Sequence, residues 1–406
     1  MSETSDGRGL RVADKIPPQI NKYYLRVSKI YKGIAFLLLL TFFASLLFVI
    51  IFCGDSVTYE NVRYLARDLG AMLESDSYQS GITDITYSGG TSMKFEAFKN
   101  GLAQVSAESF RYYDSSGIKM IEEDSGCNDP VMVPSDKYLM IYDLGGTGYA
   151  LYNQLTRVIS RSADNKIIAA DMSSSGAYIL VTRSRETKYV VEVYNAAFSK
   201  TMSIYKENYV LGAAVSPDGS LVMICSAIPS DTDFMCEVSL CKTGVSESVA
   251  THLYSHTMPL DVYATEDGFI MLSDSGIYFY DNDGSENGSI SLSGVSLRYA
   301  DISEKCIAVV GSTDNTGTVN KLIVSDFSGE ILLDRVINGR VTGIEASENL
   351  DDALTYLETP DGIVRYTIDG SEKKYEISGI DVLDVIPVYN GAIVCTKNRA
   401  YTIFAD

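Results

Sequence analysis

The sequence predicts an all-β protein, a β-propeller of eight blades with seven as the alternative, carried behind a single amino-terminal transmembrane helix. Three observations predict it. An uncharged run, IAFLLLLTFFASLLFVIIFC, occupies Ile34 to Cys53. Beyond it, eight apolar strands recur at spacings of 36 to 48 residues, near the length of one four-stranded blade. Two kinds of polar turn recur in phase with them.

The tail, residues 1–33, carries seven basic residues (Arg8, Arg11, Lys15, Lys22, Arg26, Lys29, Lys32) against Glu3, Asp6 and Asp14. Its start is polar and is followed by Pro17-Pro18, a composition too poor in apolar residues to fold alone. Asn21 to Gly33 interleaves basic residues with Tyr, Leu and Ile, which suits an anionic membrane surface. Residues 34–53 form the expected span: at 1.5 Å per residue a 20-residue helix covers about 30 Å, a bilayer's hydrocarbon core. The basic excess before it, against the near balance of Asp55, Glu60, Arg63, Arg67 and Asp68 after it, predicts a cytoplasmic amino terminus and an extracytoplasmic remainder at the cell membrane. A cleaved signal peptide would have a shorter apolar core ending in small residues.

Residues 54–79 hold a second expected helix, since Val57, Val62, Leu65, Leu69, Met72 and Leu73 recur at helical spacing after Ser56, a candidate cap. From residue 80 to 406 the period becomes that of strands. The recurring strands begin near Gly101, Lys137, Ala177, Ser220, Gly268, Lys305, Asp352 and Gly391. Polar turns such as VSPDGS (Val215 to Ser220) and TEDGFI (Thr265 to Ile270) precede several of them. A second turn ends at Gly117, Gly284, Gly329 and Gly370. The last repeat has room for only three strands before Asp406, so its fourth is expected from Gly81 to Ser88, closing the ring.

Composition narrows the function. The formal net charge is −20 and the first 33 residues contribute 7 − 3 = +4, leaving −24 on the rest, a surface that repels nucleic acid. The chain has 28 Tyr and no Trp, which excludes the Trp-bearing blade motifs of quinoproteins. No cofactor or metal is expected. Asp281, Asp283 and Glu286 in DNDGSENG imitate a calcium loop, but Asp114 and Asp326 stand at the same place in other repeats, where Asp and Gly make a turn. LGGTGY (Leu144 to Tyr149) leads into a strand rather than the helix a phosphate loop requires and reads as a flexible hairpin. His252 and His256, the two histidines, lack the rest of a zinc pattern. No GxSxG elbow is present, and no catalytic residue is assigned. Of the seven cysteines, Cys225 and Cys236 would face each other across a hairpin centred on Pro229 to Asp231, a possible disulfide outside the cytoplasm.

The basic tail, the anchor, the amphipathic segment and a diverged propeller containing YDLGGTGYALYN (Tyr142 to Asn153) together resemble the bacterial family called domain of unknown function 5711. The resemblance implies a membrane-anchored propeller of Gram-positive bacteria and brings no catalytic residues. The SPDG turn, Ser216 to Gly219, is similar to turns of WD-repeat and TolB-like propellers, which does not specify function. The expectation is a binding or scaffolding module of the cell envelope, not an enzyme, held by one helix and partnered by another envelope protein. A ligand sensor or a glycan-acting enzyme is the alternative.

Overall fold

The computed structural model describes residues 18–52, 84–87, 92–99, 101–229, 234–245, 248–347, 355–377, 381–388 and 391–404, with helix side chains described at 22 and 24–43. Two units are present, Met1–Ser75 and Asp76–Asp406.

In the first unit, helix α1 (Pro18–Phe52) runs for 35 residues. Among the described residues no helix is long and apolar enough to cross a membrane. The expected span of residues 34–53 is therefore not shown. The described helix side chains run to Phe43 and include Arg26, Lys29 and Lys32, so the uncharged stretch among them, Ile34 to Phe43, is half the predicted one. Cys53, the tail before Pro18 and the helix expected at Ser56 to Glu74 lie outside the described residues.

The second unit is a ring of eight four-stranded antiparallel sheets. In chain order the blades are β2–β5 (residues 94–123), β6–β9 (130–162), β10–β13 (167–206), β14–β17 (209–255), β18–β21 (259–291), β22–β25 (296–338), β26–β29 (343–376) and β30–β32 (382–404) completed by β1 (Ile85–Thr86). The preferred eight blades are the ones realised. First strands pack side by side around the ring: β2 with β6, β6 with β10, β10 with β14, β14 with β18, β22 with β26, β26 with β30, and β30 back to β2.

Each predicted apolar run is the second strand of a blade. These strands are buried on both faces, as in Gly101–Val105, Gly268–Ser273 and Gly391–Thr396, which explains why they read as continuous apolar runs. The two turns have the expected chemistry. Asp114 Oδ1 accepts from the N–H groups of Ser116 and Ile118, at 3.0 and 2.9 Å, and Gly117 takes φ +75°. Ser216 Oγ accepts from Leu221 N at 2.9 Å in the SPDG turn, an ordinary use of Ser and Asp to replace backbone partners.

The ring closes where the sequence says it should. Ile85 pairs with Ala400 and Thr86 with Arg399. Tyr87 N donates to Asn398 O at 3.0 Å, and Arg399 Nε meets Asp84 Oδ1 at 2.7 Å. Ile85 is buried against Ile393 and Phe95, so the first residues of the propeller and its last strand share one core.

Candidate functional site

The first strands form the inner wall, which lines the central channel of a propeller. These are β2 (Lys94–Phe98), β6 (Pro130–Pro134), β10 (Ile167–Met172), β14 (Tyr209–Val215), β18 (Pro259–Ala264), β22 (Ser296–Ile302), β26 (Gly343–Ala346) and β30 (Val382–Val388). Six carry a carboxylate: Glu96, Asp171, Asp261, Asp301, Glu345 and Asp384. Glu358, on the neighbouring strand β27 (Thr355–Thr359), makes a seventh.

Some of these carboxylates tie blades together. Asp171 Oδ2 accepts from Val215 N of the next blade at 2.8 Å, and Asp301 Oδ2 from Ala346 N of the next at 2.8 Å. Asp384 accepts from Val385 N at 2.9 Å and from the backbone of Phe95, across the closure. Each bond satisfies an inner-edge N–H that no strand pairs, so the Asp substitutes for a missing ladder partner.

Glu345, Glu358 and Asp384 converge further, each offering an oxygen within 4.8 Å of the others. Burial is the first cause of every shift here, because an ionised carboxylate loses hydration; neighbouring charges add to it. Glu96 is pushed up to about 8 by burial, then by Asp384 and Asp301. Glu358 rises to about 7 by burial and Asp384, and Asp384 to about 6 by burial, with Asp301 adding to the rise. Glu345 is pushed far up by burial and then by Asp301, Asp384, Glu358 and Glu96. The wall therefore carries protons in neutral solution. The converging oxygens are of the kind that hard cations accept.

The basic residues of the first strands do not neutralise this wall. Lys94 is engaged by Asp129 at 3.0 Å and by Pro130 O at 2.8 Å. The Arg298 guanidinium lies where a Cβ on Gly317 would meet it.

The residues singled out by sequence are placed elsewhere. Asp281, Asp283 and Glu286 stay apart in a turn: Asp281 Oδ1 accepts from Asn287 Nδ2 at 2.6 Å, Asp283 Oδ1 from Ser285 Oγ at 2.6 Å, and Glu286 from Tyr254 Oη at 2.5 Å. His252 Nε2 bonds Gly284 O at 2.7 Å, joining two blades. LGGTGY is a packed hairpin and not a flexible one: Gly145 N donates to Ile167 O at 2.8 Å and Ile167 N to Gly146 O at 2.7 Å. A Cβ on Gly146 would stand 2.0 Å from the Asp143 carboxylate.

Cys225 and Cys236 are buried free thiols. Cys225 lies opposite Val238 and Cys236 opposite Ala227, so they are diagonal neighbours on one face rather than an opposed pair. The expected hairpin centre was off by one residue, which moves register by two and keeps the face.

The fold and this wall define a closed eight-bladed β-propeller with an acidic inner surface. Residues 75–403 match the model of DUF5711, described as a family of unknown function, and the chain belongs to that family. A comparison with curated proteins finds no match. Among solved structures, the chain is similar to the Neurospora crassa Pan2 WD40 domain, with 12% identity and a TM-score of 0.45 over 68% of this chain and 89% of that one. It is similar to the Myceliophthora thermophila Cps50 (Swd1) β-propeller domain at 8% identity and 0.47, covering 79% and 100%. For Kuenenia stuttgartiensis hydrazine synthase the values are 10% and 0.45, covering 69% and 93%.

Proposed function

We propose that this protein is a binding or scaffolding module that holds a protein partner at the bacterial cell envelope, anchored by its amino-terminal helix with the propeller outside the membrane. The observation that carries the reading is the closed ring itself. Eight blades joined at β1 and β32 (Arg399–Phe404) make a stiff disc, and such a disc presents many turns on a fixed frame, which suits recognition. The anchor rests on the uncharged run of residues 34–53 and the basic residues before it.

Alkaline extraction of membranes and protease treatment of intact cells test the location. Retention in the pellet, with the propeller digested from outside, is expected; an extractable or fully protected propeller would reject the anchored topology. In-cell crosslinking with mass spectrometry, beside a control of residues 1–56, tests the module. A partner captured only with the propeller present is expected. A second reading, a ligand sensor, is favoured by the convergence of Glu345, Glu358 and Asp384. It predicts that a cation raises the melting temperature where the module reading predicts none.

A further inference from the structure

Five first strands carry a β-bulge at one place. The register slips between Ile167 and Ala169, Val210 and Gly212, Pro259 and Asp261, Leu297 and Tyr299, and Val382 and Asp384. Ile168, Leu211, Leu260, Arg298 and Leu383 are thereby left as extra residues, and a bulge re-aims the side chains around it. All five lie in the first half of their strands. Each first strand is entered from the last strand of the preceding blade, so these halves share one face of the ring and encircle one mouth of the channel.

At two of the five bulges the apolar side chain is covered. Ile168 and Leu383 pack on the blade cores. In the three consecutive blades that begin with β14, β18 and β22 apolar side chains are not covered: Leu211 is 42% exposed, Leu260 44% and Tyr299 37%, with Tyr209 at 45% beside them. Behind this apolar arc stand Asp171, Asp261 and Asp301, close enough to one another that Asp261 bears on Asp171 and both Asp261 and Asp301 bear on Tyr263. Of the first-strand cations, Lys94 is engaged by Asp129 and Pro130 O, and the Arg298 guanidinium lies beside Gly317.

We propose that this mouth docks a basic, apolar-flanked segment of a partner protein, its apolar side chains on Leu211, Leu260 and Tyr299 and its Lys or Arg side chains toward the acidic wall. Charge complementarity selects this occupant. An anionic segment is repelled by the wall, and a neutral apolar one leaves its negative charge without a countercharge. The proposal rests on the interaction-module reading and names the chemistry of its partner.

The test uses the solubilised full-length chain and three fluorescent peptides: alternating leucine and lysine, leucine and glutamate, and serine and lysine. Anisotropy should show the leucine–lysine peptide binding at least about tenfold more tightly than either counterpart. Leu211→Ser with Leu260→Ser should remove about that factor, and Asp261→Asn should flatten its salt dependence. Equal binding of the three peptides, or unchanged binding by the leucine variant with an unchanged urea midpoint, would overturn the proposal. In cells, a photo-crosslinker at Leu260 is compared with one at Lys374, exposed on the outer strand of another blade. Crosslinks from Leu260 to a basic segment support the docking mouth. Crosslinks from Lys374 alone reject the mouth but keep the module, and none from either site rejects both.

Discussion

Replacing Glu358 by glutamine takes one charge from the convergence with Glu345 and Asp384 while keeping its shape, which matters because Gly343 packs directly against the Glu358 side chain. The folded-state value for Glu358 is raised from 4.5 to about 7. The native chain therefore keeps a proton that the unfolded chain releases, and stability falls as pH rises from the unfolded value toward the folded one, then levels off. At about 1.4 kcal/mol per tenfold in proton affinity, the ceiling is about 3 kcal/mol. Glu358 is only half-buried and water screens part of this, so about 1–2 kcal/mol is expected. Glu96, Asp301, Glu345 and Asp384 face the same space and add in the same direction. Urea titrations of the full-length chain, followed by tyrosine fluorescence, should show wild type less stable at about pH 8 than at about pH 5. Glu358→Gln should match wild type at the acid end and exceed it at the alkaline end. A wild type that gains stability toward pH 8, or a variant that is weaker at both ends, would refute the reasoning.

Ile85→Ala should cost about 2–4 kcal/mol and lower one cooperative transition of the whole propeller, because Ile85 sits in the closure core; a separate early transition would show that the ring tolerates an open seam. Gly268→Ala puts a Cβ at 1.9 Å from Tyr280 O, a clash expected to cost about 1–3 kcal/mol in the same titration. Thiol titration without reductant should find the six described cysteines unreactive in the native state, since all are buried, and seven reactive thiols per chain after denaturation. A count of five would instead favour the Cys225–Cys236 bridge.

The eight second strands were legible because a strand buried on both faces needs no alternation, and Leu139 to Asp143 or Ile307 to Ser312 cannot be mistaken for surface. Closure was legible from a deficit, three strands where four were required. The acidic wall was not read, although its signal is present: IIAADM, PLDVYA, GIEA and VLDVIPV each set one carboxylate in a short apolar strand. Such a residue reads as turn chemistry until the topology shows that these strands share an axis. Glu345 and Glu358 are diagonal neighbours on paired strands of one blade, and only ring geometry brings Asp384 of the next blade to them. The register of Cys225 and Cys236 depended on a turn centre, and one residue there was enough to convert an opposed pair into a diagonal one.

The wall's protons connect its stability to its proposed partner. Asp171, Asp301 and Asp384 use an oxygen to hold the next blade's backbone, so their removal would loosen the ring. Glu345, Glu96 and Glu358 are the carboxylates that hold protons near neutral pH. A Lys or Arg side chain entering the channel favours their ionised forms and expels those protons. Binding of a basic segment must then tighten as pH rises from about 6 to 8, in the same range where the empty propeller loses stability. The two slopes have opposite signs because the same charge is a liability without the cation and a ligand with it. Calorimetry of the leucine–lysine peptide in two buffers of different ionisation enthalpy reads the proton release directly, and equal heats in both would show that the segment does not reach the wall.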